Sequence, residues 1–388
     1  MNLPAIQSAL RERNLDAWLF YDHHHRDPIA YRVLGLPDGM MVTRRWFYVI
    51  PAKGEPIKLV HKIEAGHLDT VPGKKQQYSG WQELFEQLKK VLAPYHNIAM
   101  QYSPNNVIFY VSLVDGGTLE LIRGLGKNVL SSGDLVAQFE ATLTDEQIQT
   151  HYDARDIIDP LTIEAFKEIG RRVRNGGTTE HAMQQWFMEA FRRENLVTDD
   201  PPIVAVNGNS GNPHYEPHAD GSAPIREGDF VLLDVWAKQN KPGAVYYDIT
   251  WTGFVGKAPS EKQRKIFEIV RDARDVGVKT VQQAISAGRT IAGWEVDRAV
   301  REHINKAGYG EQFIHRTGHS IGTDVHANGA NMDDLEIHDE RRILPNSCFS
   351  IEPGIYLPDF GVRSEVNVLV RPKAAEVTGK IQREIVII

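Results

Sequence analysis

Two pairs of acidic residues, set in strand-like surroundings and repeated at a nearly constant interval, most constrain how this 388-residue chain can fold. Asp234 in V-L-L-D-V-W and Asp248 in Y-Y-D-I-T-W-T stand 14 residues apart, and Glu352 in F-S-I-E-P-G and Glu365 in V-R-S-E-V-N-V stand 13 apart. Asp234 to Glu352 is 118 residues and Asp248 to Glu365 is 117, so the second pair repeats the first at one offset. Each pair reads as a β-hairpin carrying an acid on both arms. Helices are predicted before each hairpin. Thr178 and Thr179 open one whose Met183, Trp186, Phe187 and Ala190 share a face. Ser260 to Gln263 is a capping box for another through Ile266, Ile269, Val270, Ala273 and Val281, and a further helix runs from about Trp294 to a stop at Gly308. Helices then hairpin, twice over, is a duplicated α+β domain whose pseudo-two-fold brings both hairpins to one centre.

The length predicts two domains, each with its own core. Over residues 1–145, strand-like runs at Ala17 to Tyr21, Trp46 to Ile50, Ile57 to Val60 and Ile98 to Gln101 alternate with helical stretches such as Leu3 to Leu10 and Trp81 to Leu92, the pattern of a smaller α/β domain. Around Thr142 to Arg155 the chain turns polar and loses apolar periodicity, which places the second domain at 146–388. Its predicted strands are Ile203 to Val206, Val231 to Ala237, Val245 to Val255, Cys348 to Tyr356, Val362 to Arg371 and Ile381 to Ile388.

A net charge of −7 gives no reason to expect nucleic acid or an anionic membrane as partner. No apolar run reaches the length of a membrane span or a secretory leader, and the single cysteine excludes an internal disulfide, so a cytoplasmic protein is expected. Cys348, between apolar neighbours, reads as a core residue. His23-His24-His25-Arg26-Asp27 reads as a solvated loop.

Asp234 follows Val231-Leu232-Leu233 and Glu352 follows Phe349-Ser350-Ile351, so both acids are expected where apolar neighbours exclude water. A buried carboxylate costs several kcal/mol unless a counter-charge is present. Four acids and a histidine, His319 in H-R-T-G-H-S-I-G-T-D-V-H, offer a mostly oxygen donor set able to hold two divalent ions, Mn²⁺, Co²⁺, Fe²⁺ or Zn²⁺. Gly318 and Gly322 argue that this histidine stretch is a bent loop or strand, in which His315, His319 and His326 line a pocket while only one binds metal.

The order Asp, Asp, His, Glu, Glu, within T-G-H-x-x-G, E-P-G-I-Y and R-x-E, resembles the metal-dependent Xaa-Pro peptidases, the pita-bread fold of prolidase and aminopeptidase P. The resemblance runs from about Leu161 to the C-terminus, and the preceding part resembles the creatinase-like N-terminal domain of the same enzymes. It implies hydrolysis of the peptide bond before proline at a dinuclear centre, manganese foremost. Asp234 would chelate one ion, Asp248 and Glu365 would bridge, and His319 with Glu352 would complete the second. Glu352 would also shuttle a proton and His326 would stabilise charge on the scissile carbonyl. His214 in V-N-G-N-S-G-N-P-H-Y, His315 and Arg363 would contact substrate. The implied partners are small peptides with proline second, and a second copy in a homodimer. An Xaa-Pro dipeptidase is the first expectation and an Xaa-Pro aminopeptidase the alternative. A metal-free binding protein on this fold would have shed the ligands, and all five are present.

The first hairpin departs from the family pattern. Trp236 stands where glycine is usual, Lys238 to Gly243 lengthen the turn by three, Val245 replaces a tyrosine next to Tyr246 and Tyr247, Trp251 replaces an arginine, and Ala327 follows His326. None of these is a ligand, and they bear on substrate range.

Overall fold

A computed structural model describes residues 1–37 and 39–388. It has two compact units, Met1–Glu140 and Ala141–Ile388.

In the first unit, six strands form one mixed sheet in the order Lys74–Tyr78, Ile57–His61, Trp46–Pro51, Ala17–Asp22, Asn97–Met100, Asn128–Ser131. The central strands are apolar on both faces because both are covered. Trp18, Phe20, Trp46 and Tyr48 pack with helices Leu3–Glu12, Pro28–Leu34 and Gly133–Glu140 on one side. Ala17, Leu19, Phe47 and Val49 pack with helices Trp81–Leu92 and Gly116–Gly124 on the other. The histidine tract is a turn held by the buried carboxylate of Asp22, which accepts from the backbone N–H groups of His25, Arg26 and Asp27 and from the Tyr31 hydroxyl.

The second unit has the duplicated plan. Helices Asp145–Arg174 and Glu180–Arg193 precede the antiparallel pair Phe230–Gln239 and Tyr247–Phe254, and helices Glu261–Ser286 and Gly293–Lys306 precede the pair Cys348–Ile351 and Val366–Arg371. The polar stretch from Thr142 is not structureless: Thr144 and Gln147 form a reciprocal capping box that opens a 30-residue helix. Its polarity reflects a largely solvated outer face, while Ile148, His151, Ala154 and Ile158 are buried.

Two expected strands are interrupted. Cys348 to Tyr356 breaks at Glu352 and Pro353, and Val362 to Arg371 breaks opposite it at Ser364 and Glu365, leaving the short ladder Gly354–Tyr356 with Gly361–Arg363. Pro353 has no N–H to give the ladder, and the break turns both glutamates out of the regular pleat. Of Ile381 to Ile388, only Val386–Ile387 pairs as a strand. Nearby, the Gln382 side chain accepts from Thr252 N–H (3.0 Å) and donates to Thr252 C=O (2.6 Å), taking the place of ladder bonds. Ala374–Val377, where the sequence pattern sets no strand, pairs with Val366–Arg371. Cys348 is fully buried, and burial pushes its thiol up, as expected for a core residue. Among the described residues no helix is long and apolar enough to cross a membrane.

One core residue is expected to weaken this unit in acid. His151 is fully buried, with Nδ1 at 2.6 Å from the Tyr246 carbonyl and Nε2 at 2.8 Å from Thr378 Oγ1, so Nδ1–H donates and Nε2 accepts. Burial pushes its pKa from 6.5 down to about 4. The unfolded chain therefore takes up this proton first. Stability from His151 is complete above about pH 6.5 and is lost as pH falls, with about 3 kcal/mol gone near pH 4. Denaturant unfolding at pH 7 and pH 4.5 checks it: His151→Gln should lose less stability between the two than the parent, and an equal loss would sink the assignment.

Candidate metal centre

The first hairpin sorts its residues by strand alternation. Leu233, Val235, Ala237, Tyr247, Ile249 and Trp251 all enter one apolar core. Asp234 and Asp248 fall on the opposite face, where Asp234 pairs across the ladder with Thr250 and Trp236 with Asp248. The two hairpins hold each other through reciprocal bonds. Asn367 Oδ1 accepts from Asp248 N–H (3.0 Å) and its Nδ2 donates to Asp248 C=O (2.6 Å). Thr250 Oγ1 donates to Glu365 Oε2 (2.8 Å), and the Glu365 N–H donates to Thr250 C=O (3.2 Å).

His319 arrives from the loop. Its N–H donates to Ser350 Oγ (2.9 Å), the Ser350 N–H donates to the His319 carbonyl (2.9 Å) and the Glu352 N–H to the Thr317 carbonyl (2.7 Å). Gly318 between them has no room for a side chain: a Cβ would lie 2.0 Å from the Ser350 carbonyl oxygen. Gly318→Ala is therefore expected to cost about 1–3 kcal/mol through forced backbone movement, and to weaken metal uptake by displacing His319. Thermal unfolding and bound metal after dialysis measure the two effects.

Asp248, His319 and Glu365 offer ligand atoms that all lie within 4.8 Å of one another, and all three are buried. Glu352 Oε1 is 3.4 Å from His319 Nε2 and Asp248 Oδ2 is 3.5 Å from it. His319 Nδ1 faces the Ser320 carbonyl at 3.2 Å, which puts the proton there and leaves an Nε2 lone pair aimed at two carboxylates. Protonating Nε2 would relieve the conflict, but burial holds the His319 pKa well below its usual value. Asp248 Oδ1 and Glu365 Oε1 are buried without hydrogen-bond partners. Burial, then mutual repulsion, raises the pKa of both acids well above the usual range; Glu352, whose side chain is 15% exposed, rises to about 7, chiefly from burial. A lone pair and several carboxylate oxygens converging without hydrogen-bond donors, where burial disfavours their charge unless a counter-charge is present, is a site built for cations.

Asp234 lies on the same face but is engaged by Arg363, whose Nη2 donates to its Oδ2. Arg363 is itself buried, donating to Thr250 Oγ1 (3.0 Å), the Tyr356 hydroxyl (3.1 Å) and the Pro213 carbonyl (3.3 Å). His315 has both ring nitrogens occupied, Nδ1 by the Arg316 carbonyl (2.6 Å) and Nε2 by the Tyr356 hydroxyl (2.7 Å), and burial pushes its pKa to about 3. It thus orients Tyr356, and through it Arg363. His326 stands edge-on to His319 with ring centroids 4.3 Å apart. His326 is exposed, and partial burial, then the charges of Arg316 and His214, push its pKa down to about 4. His214 is exposed, on a loop whose Pro213 carbonyl Arg363 holds. Thr250, Asn367 and Tyr356 were not among the expected site residues. Thr250 stands two residues beyond Asp248 in the same strand, so the strand period that aims Asp248 inward aims it too, whereas Asn367 lies in the strand that begins just after the break at Glu365.

Comparison with known proteins agrees with this geometry. Residues 159–372 match metallopeptidase family M24. The chain belongs to that family. It is 32% identical to an Xaa-Pro dipeptidase of Pyrococcus furiosus over 65% of this chain and 67% of that one. It is also 32% identical to a putative Xaa-Pro aminopeptidase of Mycoplasma pneumoniae over 58% of this chain and 62% of that one. A dipeptidase structure from Pyrococcus horikoshii covers 100% of both chains at a TM-score of 0.66 and 27% identity. This M24 chain is accordingly a peptidase of the Xaa-Pro group, with the pita-bread fold and the smaller domain before it.

Proposed function

We propose that this M24 peptidase hydrolyses the bond preceding proline with two divalent ions, and acts first as an Xaa-Pro dipeptidase. The observation that carries the metal reading is the His319 lone pair facing Asp248 and Glu352 beside the unpartnered oxygens of Asp248 and Glu365. In this reading Asp234, Asp248, His319, Glu352 and Glu365 would hold the ions. Bound there, the ions, manganese foremost, would supply Lewis-acid polarisation of the carbonyl and acidify a water.

The remaining work falls to the side chains. Glu352, partly open to solvent and with a pKa raised to about 7, is suited to take a proton and return it to the leaving proline nitrogen. His326, at the exposed edge of the site, donates to the carbonyl oxygen as charge develops there. Arg363, braced by Tyr356 and His315, orients the proline carboxylate, and His214, on the exposed loop whose Pro213 carbonyl Arg363 holds, contacts the substrate.

The dipeptidase reading is supported by the Pyrococcus relatives. The aminopeptidase reading is supported by the Mycoplasma relative's name. Metal content of the purified protein, measured alongside hydrolysis of Ala-Pro and Ala-Pro-Ala, tests both. Bound metal with cleavage of Ala-Pro is expected. Cleavage of the tripeptide alone would select the aminopeptidase, and no metal with no cleavage of either would end the peptidase reading.

A further inference from the structure

The face of the first hairpin that carries Asp234 and Asp248 also carries Trp236 and Lys238, to which the hydrolytic chemistry gives no task. Trp236 pairs directly across the ladder with Asp248. Residues so paired have Cβ atoms roughly 5 Å apart on the same face, so the indole rises beside the metal centre. It is partly exposed and packs on a cluster that includes Val245, Tyr246 and Ile321, against which Val325 also packs. Ile321, in the short strand Ser320–Ile321, and Val325, in the loop that follows it, both lie between His319 and His326.

Lys238, next on the same face, pins that loop. Its Nζ donates to the Thr323 carbonyl at 2.5 Å and lies 4.7 Å over the Tyr246 ring. Tyr246 is tethered in turn, its hydroxyl donating to Asp199 at 2.9 Å. Tyr247 takes no part, since its hydroxyl donates to Asp159 on the opposite face. The indole is therefore braced by its cluster and by a loop that is itself tied down.

The site has two unlike ends. Arg363, Tyr356 and His315 gather around Asp234. Trp236 stands two residues, roughly 7 Å, further along the strand, on the side of the His319 to His326 loop. With the proline carboxylate at the guanidinium end, the first residue's side chain falls at the aromatic end. Resting on the Xaa-Pro reading above, we infer that Trp236 is the specificity-determining wall for that side chain and restricts it to small groups, because a braced indole beside Asp248 takes the space that a larger one would need.

The test compares kcat/KM for Gly-Pro, Ala-Pro, Leu-Pro and Phe-Pro in the metal-loaded parent, Trp236→Ala and Trp236→Phe. The Phe-Pro to Ala-Pro ratio is expected to rise at least about tenfold in Trp236→Ala, the range that differences in apolar pocket filling command. It should rise less, in the same direction, in Trp236→Phe, which keeps the apolar packing and preserves the test if the alanine variant does not fold. A parent active on Xaa-Pro substrates whose ratio is unmoved in the variants, or falls, overturns the wall while leaving the peptidase reading intact. A parent inactive on all four overturns both.

Discussion

Asp248→Asn is expected to lower kcat by at least about a thousandfold, the scale of losing about 4 kcal/mol of transition-state stabilisation. Asp248 is the residue through which both halves of the centre communicate: its backbone is clasped by Asn367, one oxygen lies near His319, and the other is buried without a partner. The substitution keeps the shape and removes the charge. In the metal-free protein that removal relieves repulsion with Asp234, Glu352 and Glu365, so the apo variant should unfold at the same temperature as the parent or higher. The difference should emerge on adding manganese. An ion at a hundred times its Kd stabilises the parent by about 2.7 kcal/mol, and the variant should gain much less. A variant that keeps the parent's rise in Tm and its turnover would show that Asp248 holds no ion. One that unfolds early without metal would point to a structural role instead.

Arg363→Ala should have the next largest effect, and it acts on two quantities that can be separated. Removing the guanidinium leaves Asp234 buried without its cationic partner, a loss of about 3–5 kcal/mol for a broken buried pair. Denaturant unfolding without metal measures it, and added metal should restore part of the loss by supplying charge to Asp234. On substrate, a guanidinium that reads the proline carboxylate makes the parent prefer Ala-Pro to Ala-Pro-amide. Losing such a charge-assisted contact is worth roughly a hundredfold in kcat/KM, about 2.7 kcal/mol, so the preference should collapse in Arg363→Ala. If acid and amide fall together, Arg363 serves the fold alone. Arg363→Lys should keep much of the charge effect and lose the bonds to Thr250 and Tyr356, which depend on the planar fork.

Most of the architecture was legible because its signals are local. Ser260 to Gln263 forms the expected capping box, and Thr179 caps the helix whose Met183, Phe187 and Ala190 are buried. The strand-like apolar runs around Asp234 and Asp248 placed both arms of the first hairpin. The Thr144 to Gln147 capping box was equally local, but Pro160 inside the helix and its solvated face masked it. The breaks at Glu352 and Ser364 escaped because each segment remains apolar enough to read as one strand.

By itself, the sequence determined the charge problem and its duplication: four acids in apolar strands at matched offsets need cations and a two-fold centre to share them. Only the tertiary structure decided which donors meet. It set Asp234 against Arg363, spent both nitrogens of His315 on the protein, and left His319 Nε2 open towards Asp248 and Glu352. Those outcomes turn on backbone carbonyls, on Tyr356 and on residues more than a hundred positions apart. Side-chain direction and hydrogen-bond occupancy are properties of what surrounds an atom, and the residue's own neighbours along the chain do not carry that information.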